Sequence, residues 1–249
     1  EAAVRIGLAP CSPFSVSERL MRESAELARD RGVRLHTHLG ETRDEDAWCL
    51  ETHGVRPLDY LERCHWLADD VWLAHGIHFD DAELARLGAA GTGVCHCPSS
   101  NMLLGSGICR APALEAAGAP LGLGVDGSAS NDASNMITEV RQAMLLQKLA
   151  RGSAAVTARD ALRWATVGGA RLLGWPEIGR LEVGAAADLA LFALDEPRFS
   201  GVGDPLAGLL YSGATRVRDL MIGGAWRVRG GDLVDVDLEE LRARHGDRA

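Results

Sequence analysis

The stretch Val33-Arg-Leu-His-Thr-His-Leu-Gly-Glu-Thr42 decides how the rest of the chain is read. Residues 33–39 form a strand-length run, and His36 and His38 stand two apart in it. On a strand both imidazoles therefore point to the same face. Glu41 follows three residues later, where the strand passes into its loop, close enough to sit beside a ligand without being one. Imidazole nitrogen combined with a carboxylate from another strand is ordinary ligation for a divalent borderline ion such as zinc. A lone histidine in an apolar strand is more often a packed core residue, so the reading depends on what the other strand ends carry.

Outward from this stretch, short apolar runs alternate with helical patterns. Strands are expected at Val4–Ala9, Val33–Leu39, Val71–His75, Gly93–His96 and Leu121–Val125. Ser15 or Ser17 can cap a helix through about Arg31, which Gly32 closes. Further helices are expected at Asp44–Thr52, Pro57–Arg63, Asp80 or Asp81 to Ala90, Ala111–Ala117, Asn135–Arg151 and Arg159–Leu173. Five strand-then-helix units in series argue for a parallel sheet with right-handed crossovers. After Gly174 the texture changes to short strands between Gly-rich turns, including Arg216–Ile222 and Ala225–Arg229, with a terminal helix at 237–245.

Polar groups gather at the C-terminal ends of the expected strands: Cys11-Ser12, His36 and His38 with Glu41, His75, Ser99-Ser100-Asn101, and Asp126. In a βα barrel that rim is where the βα loops converge and where sites are built. Five units do not close an eight-stranded barrel, which leaves two architectures. One is an open doubly wound sheet binding a nucleotide, but that would want a Gly-rich phosphate loop after the first strand, and Ala9-Pro-Cys-Ser-Pro13 is not one. The other is an α/β chain comprising the last five units of a (β/α)8 barrel whose N-terminal part is missing.

Composition narrows the function classes. The chain has 249 residues, 47% hydrophobic and 24% charged, which excludes a disordered chain. Lys+Arg 26 against Asp+Glu 35 gives −9 with no basic block, so neither duplex nucleic acid nor an anionic membrane is an expected partner. No run approaches the roughly 18 apolar residues a membrane span needs. The six cysteines have no zinc-ribbon or disulfide-scaffold spacing and read as reduced thiols, hence a cytoplasmic expectation. The opening Glu1-Ala2-Ala3-Val4 has no signal-peptide pattern.

Four segments, His36-Thr-His-Leu-Gly-Glu-Thr42, Ala74-His-Gly-Ile-His78, His96-Cys-Pro-Ser-Ser-Asn-Met102 and Val125-Asp-Gly-Ser-Ala-Ser-Asn131, together resemble the amidohydrolase superfamily, in its branch of guanine deaminases, chlorohydrolases and related aminohydrolases. Gly179-Arg-Leu-Glu-Val-Gly-Ala-Ala-Ala-Asp-Leu189 is similar to the stretch by which that branch returns from its barrel into a composite β-sandwich. The resemblance implies a barrel portion over residues 1–175, and sandwich return strands with a terminal helix over 176–249. It implies one divalent ion, zinc before iron, with His38, Asp126 and His75 as its metal-site residues. Glu41 is implied as proton shuttle, His75 as the group that polarises substrate or orients water, and Asp126 as acceptor of a second proton. Two further ligands, an HxH pair of the family's first strand, are absent here and expected from the missing N-terminal segment. His36 and His78 are read as supporting residues, with plain structural roles the alternative. Cys11, Ser99, Ser100, Asn101 and Trp48 are candidate substrate contacts, although Pro98-Ser-Ser-Asn101 reads equally as turn chemistry. Where two-metal members carry a bridging carboxylated lysine, this chain reads Cys11-Ser12, and its one lysine is Lys148, which favours a single ion. The implied reaction is hydrolytic deamination of a small-molecule purine, with 8-oxoguanine going to urate and ammonia. Guanine or a triazine is the alternative substrate, a non-catalytic scaffold the alternative of another class, and a homo-oligomer the expected assembly.

Overall fold

The structure, a computed structural model, describes residues 4–246 and divides into two compact units, 1–180 and 181–249. In the first unit the order is β1 (Gly7–Leu8), α1 (Glu18–Arg31), β2 (Arg34–Leu39), α2 (Arg43–His53), α3 (Pro57–Arg63), β3 (Val71–His75), α4 (Asp81–Ala90), β4 (Gly93–His96), α5 (Pro98–Leu103), α6 (Ala111–Ala116), β5 (Leu121–Leu123), α7 (Met136–Arg151), α8 (Ala158–Arg163) and α9 (Gly169–Leu172). The five strands pair in parallel in the order β1-β2-β3-β4-β5, the arc of a βα barrel rather than a doubly wound sheet.

Sequence explains the boundaries. Ser17 Oγ accepts the Leu20 amide at 3.2 Å to start α1, and Gly32 ends it in the left-handed conformation at φ 61°. Asp80 and Glu83 form a reciprocal capping box at α4, which Gly91 closes. One face of β2 points to the helices, with Leu35, Thr37 and Leu39 fully buried, while Arg34, His36 and His38 alternate onto the other face. Register pairs His38 with Ala74 and Leu39 with His75, so the C-terminal ends of β2 and β3 lie level.

Four expectations need correction. The strand expected at Val4–Ala9 pairs only over Gly7–Leu8, and that expected at Leu121–Val125 ends at Leu123. Pro98-Ser-Ser-Asn101 is not a bare turn but the first turn of α5, with Pro98 at a position where a missing amide costs nothing. The long helix expected over Arg159–Leu173 widens into a π-turn at Trp164–Gly168. That turn brings Gly168 onto β5 so closely that a Cβ there would stand 2.1 Å from the Leu121 carbonyl oxygen.

The second unit holds an antiparallel sheet of β6 (Leu189–Leu191), β7 (Asp219–Ile222), β8 (Ala225–Arg229) and β9 (Asp232–Leu233), with α10 (Pro205–Tyr211) and α11 (Leu238–Gly246). Both of its hairpins turn on a Gly-Gly pair, Gly223-Gly224 and Gly230-Gly231. All four residues have positive φ, as two-residue loops matched to strand twist require. No helix among the described residues is long and apolar enough to cross a membrane.

Candidate metal and catalytic centre

Three strand ends deliver their side chains to one point. His38 ends the exposed face of β2, His75 ends β3, and Asp126 follows β5 by three residues. His38 Nε2 lies 3.9 Å from Asp126 Oδ1, and His75 Nε2 lies 3.9 Å from Asp126 Oδ2. Glu41, at the start of the β2–α2 loop, places Oε2 3.5 Å from His75 Nε2. The His38 and His75 rings stack with centroids 5.4 Å apart. One ligand atom each from His38, His75 and Asp126 lie within 4.8 Å of one another, a spacing one ion can bridge.

The backbone bends to achieve this. His75 and Asp126 both adopt left-handed φ, 73° and 63°, which non-glycine residues rarely do. Such strain persists only where the surroundings enforce it, and it clusters at functional sites.

Each group is held from behind. His38 Nδ1 sits 2.5 Å from the Cys11 carbonyl oxygen, so it is the donor there and Nε2 is left free for the centre. His75 is fully buried, and the Asn101 amide nitrogen stands 3.3 Å from its Nδ1. With the Asn101 amide nitrogen as donor at Nδ1, the ring proton sits on Nε2, which has no hydrogen-bond partner among the described residues and faces the two carboxylates. Burial lowers the His75 pKa against the pull of Glu41 and Asp126, so the ring stays neutral. Asp126 Oδ2 accepts from Ser100 Oγ at 2.6 Å and from Ser130 Oγ at 3.2 Å. Partial burial pushes the Asp126 carboxyl up, but the Ser100 hydroxyl, the Gly127 amide and the two histidines hold it below the ordinary range. The residues therefore fit a divalent ion: His38 offers a free imidazole nitrogen and Asp126 an ionised carboxylate, with the neutral His75 ring beside them, all locked by neighbours.

The remaining candidates are placed less uniformly. Cys11 reaches the centre through its carbonyl, while its thiol belongs to an exposed residue. Ser100 and Asn101 are fully buried; the Ser100 hydroxyl goes to Asp126 and the Asn101 amide nitrogen to His75, while Asn101 Oδ1 has no hydrogen-bond partner among the described residues, and Ser99 donates its amide to Glu139. His36 stacks on Trp72 at 4.9 Å with Nδ1 3.3 Å from the Trp72 carbonyl oxygen. His78 Nε2 lies 3.0 Å from the Ser106 carbonyl oxygen. Trp48 packs edge-on to Phe14 at 5.4 Å and to His53 at 5.2 Å. Sequence reasoning missed Ser130, which touches Asp126, and Glu45, whose carboxylate grips the Glu41 loop. Thr42-x-x-Glu45 carried a readable capping-box signature. A groove of about 900 Å3 lined by Arg5, Gly7, Arg34, Asp70, Trp72 and Trp175 lies at the opposite, N-terminal ends of the strands and contains none of the four groups.

A parallel sheet that gathers imidazoles and carboxylates at the C-terminal rim of its strands is the arrangement in which βα barrels build their sites. Residues 1–227 match the amidohydrolase family, and the chain belongs to it. It is 61% identical to 8-oxoguanine deaminase of Pseudomonas aeruginosa, over 98% of this chain and 54% of that protein. Among solved structures it superposes on an adenosine deaminase of Xanthomonas campestris with bound zinc (TM-score 0.93, 34% identity, 97% of this chain and 56% of that one). It also superposes on the zinc complex of atrazine chlorohydrolase from Arthrobacter aurescens (TM-score 0.94, 34% identity, 98% and 55%). The chain thus spans about half the length of the relatives it matches.

Proposed function

We propose that the intact gene product hydrolytically deaminates a purine, with 8-oxoguanine as substrate and urate and ammonia as products. One observation carries the reading: His38, Glu41, His75 and Asp126 converge within 3.5–3.9 Å contacts at a single rim of the sheet. The 61% identity to 8-oxoguanine deaminase supports the substrate. The two zinc-bound structural relatives support zinc as the ion. His38 Nε2 and Asp126 Oδ1 are the ligands this chain would supply, and an HxH pair from outside residues 1–249 would complete the set.

When bound there, a divalent ion supplies Lewis-acid charge that acidifies water and stabilises developing negative charge. The chain's own residues do the rest. Glu41 Oε2 takes the proton of the attacking water and delivers it to the ring nitrogen beside the amine-bearing carbon. The water oxygen bonds to that carbon, the C–N bond breaks, and the nitrogen leaves as ammonia. Asp126 holds and then passes the second proton the leaving nitrogen needs. His75 stays neutral with its Nε2 proton aimed at the reacting centre, so it donates a hydrogen bond where charge develops, the kind of electrostatic term that usually dominates. On this reading His75 polarises rather than ligates, because the Asn101 amide occupies its other nitrogen.

The test is an assay of the intact protein against 8-oxoguanine, guanine and hydroxylated triazines, following ammonia release. Release from 8-oxoguanine with kcat/KM at least tenfold above the others is expected. Preference for a triazine would move the substrate, and no release from any of them would remove the deaminase reading.

A further inference from the structure

We infer that Glu45 is a positioning residue, whose carboxylate grips the backbone of the β2–α2 loop and so sets where the Glu41 carboxylate points. Glu45 lies in the first turn of α2, and only 4% of it is exposed. Its Oε2 accepts the Gly40 amide at 2.6 Å, and its Oε1 accepts the Glu41 amide at 2.9 Å and the Thr42 amide at 3.3 Å. Three consecutive amides on one buried carboxylate is more than a helix cap requires. An ordinary capping box needs only the bond to the residue before the helix, here Thr42, and that is the longest of the three. The two shorter bonds reach past the cap to the residue that bears the shuttle and the one before it.

The grip is anchored at both ends. Gly40 has φ +65°, and the Phe79 ring packs where its Cβ would stand, 3.1 Å away. The next residue of α2, Asp46, pairs with Arg56 at 3.1 Å, and Arg56 in turn pairs with Glu83 at 2.8 Å. Helix, loop and neighbouring strand end therefore leave the Glu41 Cα little freedom, and Glu41 Oε2 meets His75 Nε2 at 3.5 Å as a result. Displacing a reacting group by about 1 Å costs on the order of a hundredfold in rate.

This inference rests on the role proposed for Glu41, and a double-mutant cycle in the intact, metal-loaded protein separates the two. Glu45→Ala should lower kcat for 8-oxoguanine by roughly ten- to a hundredfold with KM and metal content little changed. Glu45→Gln, which keeps one acceptor oxygen, should fall between it and the parent. In a Glu41→Gln background the same Glu45 changes should have no further effect on kcat, because the group they position is gone. Asp160→Asn, which alters the capping box of α8 away from the site, controls for the loss of a cap and should leave kcat unchanged. Hydrogen exchange reads the grip without catalysis. The amides of residues 40–42 should exchange at least tenfold faster in Glu45→Gln, while those of α4 should not change. If Glu45→Ala does not fold, the Gln variant carries both readouts. Additive effects on kcat, or unchanged exchange at 40–42, would overturn the inference. A Glu41→Gln variant with parental kcat would instead overturn the role of Glu41.

Discussion

Glu41 and His75 face each other across the mouth of the sheet, Oε2 to Nε2 at 3.5 Å, with the imidazole fully buried and the carboxylate partly open to solvent. That asymmetry suits a division of labour. A buried neutral ring is a fixed donor, and a half-open carboxylate can exchange protons with water and substrate.

Replacing Glu41 by Gln tests the mobile half. The amide keeps the shape but cannot take a proton, so kcat should fall by roughly 10²–10⁴ while metal content stays at the parental value. Metal analysis beside steady-state kinetics checks both, and near-parental kcat would remove the shuttle role.

Ser100 fixes the carboxylate on the other side. Its 2.6 Å hydrogen bond to Asp126 is made to a charged acceptor, a class worth about 1.5–3 kcal/mol. Ser100→Ala should let the Asp126 carboxyl rise toward its ordinary pKa and weaken the metal site by about 10–100-fold. Competition with a chelator of known affinity reads that loss directly; parental affinity would mean the hydroxyl is only packing.

Glu45 makes a prediction about stability and pH. Burial pushes its carboxyl up from 4.5 to about 7, against the three amides that favour ionisation. Between those values the folded chain holds a proton that the unfolded chain releases, so stability falls as pH rises through that window. The full contribution is present below about 4.5 and is lost above about 7, a swing of about 3 kcal/mol. Thermal unfolding of parent and Glu45→Gln from pH 4.5 to 8 should show the parent losing Tm relative to the variant. Parallel curves would contradict it.

Much of this architecture was legible because it is written locally. The alternation in Arg34–Leu39, the Ser17 and Asp80 caps and the stop at Gly32 each act within a few residues. The histidines and carboxylates of the site were legible as strand-end residues, because period-two alternation fixes the face on which His36 and His38 lie. What escaped was whatever depends on distant backbone. Pro98 looks like a turn signal until the chain after it is seen to coil. Nothing near Trp164 announces a π-turn that Gly168 needs in order to meet Leu121. The left-handed φ of His75 and Asp126 is imposed by their surroundings and contradicts residue preference, so no sequence rule could find it. Cys11 reads in the sequence as a candidate substrate contact, and in the structure it is its carbonyl that orients His38.

Anomalous diffraction at the zinc edge from crystals of the intact protein tests the convergence of these groups most directly. A single zinc is expected about 2.0–2.2 Å from both His38 Nε2 and an Asp126 carboxylate oxygen, with Glu41 beside it rather than bound to it. A zinc peak elsewhere in the chain, or none in protein that deaminates 8-oxoguanine, would contradict it.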